Sequence, residues 1–179
     1  MSEQEIRNYS TAKGFHPQTL ERWLNWQPAD ASALARLAFA LKVSENHLRD
    51  LMDWLEEISL RDGESIHAIL TSKAIDDSAT DPRLGRADRL KRIKEQIRRL
   101  RFPRLAETED TIRAKIQELK LHPGIRMTVA PGLEGGQLRV EFAATNHAEL
   151  KQLTTKLTEA TAKASMPEIF ALLAGHSSK

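Results

Sequence analysis

Residues 125–142 read IRMTVAPGLEGGQLRVEF, and the spacing of apolar side chains within them decides the fold class. Ile125, Met127 and Val129 alternate with Arg126 and Thr128. After PGLEGG, Leu138, Val140 and Phe142 alternate with Arg139 and Glu141. A period of two belongs to a strand with one buried face, and two such runs around a Gly-rich turn predict a β-hairpin. Elsewhere the apolar period is helical, so the chain is expected to be α+β and mostly α.

Helices flank the hairpin. A segment running to Leu121 places Ile112, Ile116 and Leu119 on one side. Asn146 is a candidate N-cap for a helix from His147 to about Lys163 that carries Leu150, Leu153 and Leu157. A last short helix is expected from Pro167 to near Gly175, followed by a tail. A two-stranded hairpin is marginal alone. Its 2-period face and the flanking helices predict an αββα module over residues 107–163 that pairs with a second copy. The expected interface is Ile125, Met127, Val129, Leu138, Val140, Phe142, Leu150 and Leu153.

The order helix, strand, Gly-rich turn, strand, helix, with Val140, Phe142, Glu149, Leu150, Leu153 and Leu157, resembles the C-terminal dimerisation domain of ParB-type partition proteins over about fifty residues. The resemblance implies that two chains pair through sheet and helix, and that the protein acts on DNA in plasmid or chromosome partition, alone or with a partition or regulatory protein. It also implies nonspecific DNA contact near the sheet. The turn here carries Glu134 where the family is basic, so DNA contact is expected elsewhere in the chain. No Arg-rich phosphate box precedes the module, so CTP-gated sliding is not expected.

That place is residues 83–104. They hold ten basic residues against Asp88 and Glu95, a net +8, whereas residues 1–82 carry −6 and residues 105–179 are neutral. Charge so concentrated favours a phosphate backbone, where counterion release drives binding. Arg86, Arg89, Lys91, Arg92, Lys94, Arg98, Arg99, Arg101 and Arg104 are the expected phosphate contacts to double-stranded DNA. Two other readings stand beside this one: a solvated helix face, or a basic segment docked on the acidic N-terminal region. Leu90, Ile93, Ile97 and Leu100 form a narrow apolar seam on this helix, and such a seam needs a partner helix.

Residues 1–75 read as a helical domain of two helix–turn–helix-like pairs. IRNYSTAKGFHPQTLERWLNW has Ala12, a Gly14 break and Leu20 in packing positions; its second helix would present His16, Gln18, Thr19 and Arg22 to a major groove. A plain helical hairpin fits equally. In the second pair, Glu45, Asp50, Asp53, Glu56 and Glu57 against Arg49 argue for a packing or protein-contact face. DDSATDP, residues 76–82, reads as a linker between this domain and the basic helix.

Composition bounds the remainder. There are no cysteines, which removes disulfides, thiolate metal sites and thiol nucleophiles. One Tyr, five Phe and three Trp are too few for a base-stacking single-strand surface. The six histidines never fall at i, i+3 or i+4, so no helical metal pair is expected. No cofactor, no membrane span and no enzymatic constellation is expected, and the location expected is cytoplasmic, at the nucleoid. The alternatives to a partition factor are a helix–turn–helix transcription regulator and a protein–protein adaptor with an acidic docking module.

Overall fold

The structure, a computed structural model, describes residues 1–175. It is mostly helical, with one two-stranded antiparallel sheet, as the periodicities predict. The chain divides into two compact units, Met1–Phe102 and Pro103–Lys179.

The first unit comprises α1 (Glu3–Lys13), α2 (Pro17–Leu24), α3 (Pro28–Leu41), α4 (Glu45–Asp62), α5 (Ile66–Leu70), α6 (Lys73–Thr80) and α7 (Arg86–Arg101). Local chemistry sets its boundaries. Ser2 and Glu5 form a reciprocal capping box at the start of α1, and Gly14 ends that helix at φ +67°, in the left-handed region that glycine enters without a Cβ penalty. The α3–α4 turn has the same shape, but Lys42 takes the left-handed position, at φ +52°. The Tyr9 hydroxyl lies 3.0 Å and 3.1 Å from the Ala38 and Val43 carbonyls and so ties this turn to α1. Trp23, Leu34, Leu48, Leu51, Leu55 and Ile58 are buried in one core, and Ile93 and Ile97 of α7 belong to it. The Trp23 indole donates to the Ala31 carbonyl at 3.2 Å, which satisfies its one polar group.

Two organisational expectations are corrected. Residues 76–82 are not a linker: α6 runs through Thr80. The short polar side chains that suggested a loop bond within the helix instead. Ser78 donates to the Ala74 carbonyl, Thr80 to that of Asp76, and Lys73 pairs with Asp77. Ile75 and Ser78 are buried and α6 packs on α7. The helix ends where Asp81, held extended before Pro82, leaves the α region. The basic helix is likewise no separate segment but an integral part of the first unit, so the division falls at Phe102, not at residue 75.

The second unit comprises α8 (Pro103–Glu118), β1 (Ile125–Val129), β2 (Leu138–Phe142), α9 (His147–Thr161) and α10 (Ser165–Leu173). The hairpin pairs Ile125 with Phe142, Met127 with Val140 and Val129 with Leu138. Directly opposed residues share a face, so the six apolar side chains of both strands lie on one side. Ile112, Leu119, Met127, Met166, Ile169 and Leu172 form the core between α8, α10 and this face. PGLEGG is a kinked pair of tight turns in which Gly132 has φ +72° and Leu133, at φ +56°, packs on the core. The buried Glu109 carboxylate accepts from the Gly132 amide at 2.9 Å and pins the loop to α8. Residues 176–179 of the expected tail lie outside the described residues. Among the described residues no helix is long and apolar enough to cross a membrane.

Candidate nucleic-acid interface

The seam predicted on the basic helix is real, and its partner lies in the same unit. Ile93 and Ile97 are fully buried against α4 and α6, Leu90 is half-buried, and Leu100 at the C-terminal end is exposed. Burying that seam fixes where the cations of α7 go.

On the flank facing α4 they meet carboxylates. Lys94 Nζ lies 2.8 Å from Asp50, with His47 Nδ1 at 3.3 Å, and Arg101 lies 2.6 Å from Glu57. The indole of Trp54 sits under both cations, 5.0 Å from Lys94 Nζ and 5.9 Å from the Arg101 guanidinium, inside the range of cation–π attraction. Arg61 of α4 donates to the Leu100 and Arg101 carbonyls at 2.7 Å and 2.6 Å, satisfying acceptors that a helix C-terminus leaves open. Arg98 pairs with Glu95 at 2.8 Å, and Arg99 is half-buried. At the other end the Asp81 carboxylate, only 8% exposed, accepts from Arg83 at 2.8 Å and lies 3.5 Å from Arg92. Those bonds, from the Arg83 guanidinium first and its amide second, hold the Asp81 carboxyl well below its ordinary range. Arg89 donates to the Asp81 carbonyl at 3.0 Å.

The nine expected phosphate contacts therefore separate into groups. Arg86, Lys91, Arg92 and Arg104 are exposed, the last at the start of α8 in the second unit. Lys94, Arg98 and Arg101 are paired with carboxylates of their own unit, Arg89 serves the turn before α7, and Arg99 is half-buried. The charge asymmetry along the sequence cancels on folding: residues 1–102 hold 17 Lys/Arg against 16 Asp/Glu, a net +1. Lys94 and Arg101 show the alternative of a basic segment docked on the acidic N-terminal region; from sequence, Asp50 and Glu57 stand out only within an acidic packing face, and Asp81 does not stand out. A signal existed for Asp50 and Glu57, since carboxylates seven residues apart on α4 repeat on one helix face.

The expected base-reading set is divided in the same way. His16 is the N-cap of α2, its Nδ1 accepting from the Gln18 amide at 3.3 Å, and both side chains are exposed. Thr19 is buried at 7% exposure and donates to Glu45 at 2.6 Å. Arg22 grips Glu56 through two nitrogens, at 3.0 Å and 2.6 Å, and Asp53 at 2.7 Å; the Trp26 indole also donates to Glu56 at 2.7 Å. Glu56 foremost, with Asp53, pushes the Arg22 guanidinium further up. The Thr19 hydroxyl, then the His16 amide, holds the Glu45 carboxyl below its ordinary value. A polar groove of about 540 Å³ between α2 and α4 is lined by His16, Gln18, Thr19, Arg22, Glu45 and Arg49. Thr19 and Arg22 line it as structural side chains, so two of the four expected readers are already committed to α4.

The expected dimer residues also divide. Ile125, Met127 and Leu153 are buried within the second unit, and Val129 and Leu138 are half-buried. Val140, Phe142 and Leu150 are 38%, 37% and 47% exposed.

Comparison of this chain with protein-family models, with curated proteins and with solved structures returns no match.

Proposed function

We propose that the protein is a homodimeric, double-stranded DNA-binding factor that holds phosphates through the N-terminal half of α7. One observation carries this reading. Arg83 and Arg92 are 83% and 53% exposed beside the nearly buried carboxylate of Asp81, and Arg86 and Lys91 are exposed at the same end of α7. Four exposed cations within ten residues, one before α7 and three on its first two turns, suit a phosphate row. Contact of this kind is independent of base sequence. His16 and Gln18 are the residues left for any base reading, and Thr19 and Arg22 would have to give up their α4 partners first. The αββα order that resembles the ParB-type domain puts DNA partition ahead of transcriptional control as the process served.

Binding to generic duplex at rising salt tests the proposal. About three or four phosphates per chain should give a log–log slope near −3 per chain, far below the eight or nine that the bare basic run suggests. Replacing Arg86 and Lys91 by Ala should cut affinity and flatten the slope by about two units per chain. No affinity for duplex at low salt would sink the proposal. It would favour a second reading, in which α7 is a structural strut of a protein-binding adaptor. The observation behind that reading is the locking of Lys94 and Arg101 onto Asp50 and Glu57.

A further inference from the structure

Three arginines converge on one residue at the start of α7. The Asp81 carboxylate accepts from the Arg83 amide at 3.0 Å, from Arg83 Nε at 2.9 Å and from Arg83 Nη2 at 2.8 Å. Arg92 Nη1 lies 3.5 Å from the oxygen that Arg83 Nη2 also holds, and Arg89 Nε donates to the Asp81 carbonyl at 3.0 Å. The backbone there is well determined. Asp81 ends α6, Pro82 follows with its fixed φ, and the Leu84 amide closes a turn onto the Asp81 carbonyl at 3.3 Å. The Asp81 side chain is nearly buried, whereas those of Arg83 and Arg92 reach solvent.

A guanidinium is a flat fork with donors on more than one edge. Asp81 takes the Nε and Nη2 edge of Arg83 and leaves the Nη1 edge to solvent, and on Arg92 it meets Nη1 alone. Among the described residues neither arginine has a second carboxylate partner. We propose that Asp81 is a positioning residue for the phosphate site: it holds the Arg83 fork in place, draws Arg92 beside it, and so presents two guanidinium edges to one phosphate of a DNA duplex. The inference rests on the DNA-binding reading and gives that site its architecture. Ordering long side chains at the moment of binding costs rotamer entropy, and bonds already made to Asp81 remove part of that cost before DNA arrives. The carboxylate itself repels phosphate, but two cations answer it and leave the cluster net positive. Forked contact then adds geometry to charge, because guanidinium edges match phosphate oxygens in pairs. One phosphate for this pair, with one each for Arg86 and Lys91, makes about three contacts per chain, in keeping with the expected salt slope.

Charge alone and positioning predict opposite signs for one substitution. Asp81→Asn removes an anion from a basic site, so charge alone would tighten DNA binding. Positioning predicts that the full-length variant binds a labelled generic duplex about three- to fivefold more weakly than wild type at the same salt, as read by fluorescence anisotropy. Arg83→Lys keeps the charge but loses the fork, and should weaken binding by about the same factor. A double-mutant cycle separates positioning from a purely structural role in the turn between α6 and α7. With Arg83 and Arg92 both replaced by Ala, Asp81→Asn should cost no further affinity, since its effect runs through those two side chains. A damaged turn would weaken binding in either background. If wild type has no affinity for duplex at low salt, the DNA-binding reading and this inference fall together. DNA binding survives and the positioning role falls on any of three results with a wild type that binds: Asp81→Asn binds as tightly or more tightly, Arg83→Lys matches wild type, or Asp81→Asn weakens the doubly substituted protein by the same factor as it weakens wild type.

Discussion

α7 and β2 are the two segments whose sequences ask for a partner, and folding treats them differently. α7 carries an apolar seam and a large excess of cations; the seam and the cations facing α4 are answered inside its own unit. Ile93 and Ile97 enter the core, while Asp50, Glu57 and Asp81 take Lys94, Arg101 and Arg83. β2 carries an apolar row and two balanced charges, and much of the row stays uncovered, with Val140 and Phe142 more than a third exposed. The conspicuous charge run thus meets much of its counter-charge within the chain, whereas a modest strand keeps an edge unpaired among the described residues. Charges are long-range and mobile on flexible side chains, so an acidic helix nearby can satisfy them. An apolar strand face needs a surface of matching shape, and the second unit is too small to supply it along the whole of β2.

The hardest test of this contrast is Ile97→Ala. The side chain is fully buried in the seam, and its loss should destabilise the first unit by about 2–4 kcal/mol. Chemical denaturation followed by the three tryptophans, all in the first unit, should report the loss. A shift of a few tenths of a kcal/mol would mean that α7 is not integral to this body.

A smaller effect is expected from Arg22→Ala, which leaves Asp53 and Glu56 facing each other with only the Trp26 indole to bond. The groups are more than a third exposed, so solvent screening limits the cost to about 1 kcal/mol. If DNA affinity fell sharply while stability held, Arg22 would be a reader after all.

Asp50→Asn with Glu57→Gln sharpens the comparison on the side of function. Stability should drop by well under 1 kcal/mol per pair, at most about 0.5 each. DNA affinity should rise and its salt slope steepen, because Lys94 and Arg101 are released. Unchanged affinity would show that this flank of α7 does not face DNA.

The smallest effect is the response to acid. Asp81 and Glu45 ionise in the folded chain at lower pH than their ordinary 3.8 and 4.5. Their contribution is therefore complete above those values and is lost as pH falls through the lower, folded ones. Thermal melts from pH 5 to pH 2 should show a decline that Glu45→Gln makes shallower. An unaltered decline would mean that the Thr19 hydroxyl and His16 amide do not favour the charged form.

Much of the architecture was legible in the residues alone, because the signals that write it are local. The hairpin register follows from period-two alternation on either side of PGLEGG, and α1 from the capping box of Ser2 with Glu5 and the stop at Gly14. The seam on α7 follows from three- and four-residue spacing. Where local signals misled, a local rule met a tertiary one: Asp, Ser and Thr in residues 76–80 look like a loop until Ile75 and Ser78 find α7 beneath them. The site was less legible. Thr19 and Arg22 have the chemistry of base readers, and only the fold reveals that carboxylates 26 to 34 residues away already hold them. Lys94 and Arg101 look free for phosphate until Asp50 and Glu57, 44 residues distant, close on each. Helices, caps and register follow from neighbours within a few positions, where backbone geometry fixes who can touch whom. The unit boundary at Phe102, the neutralised flank of α7 and the uncovered edge of β2 depend on which faces meet when the chain closes on itself, and side-chain identity alone does not encode that pairing.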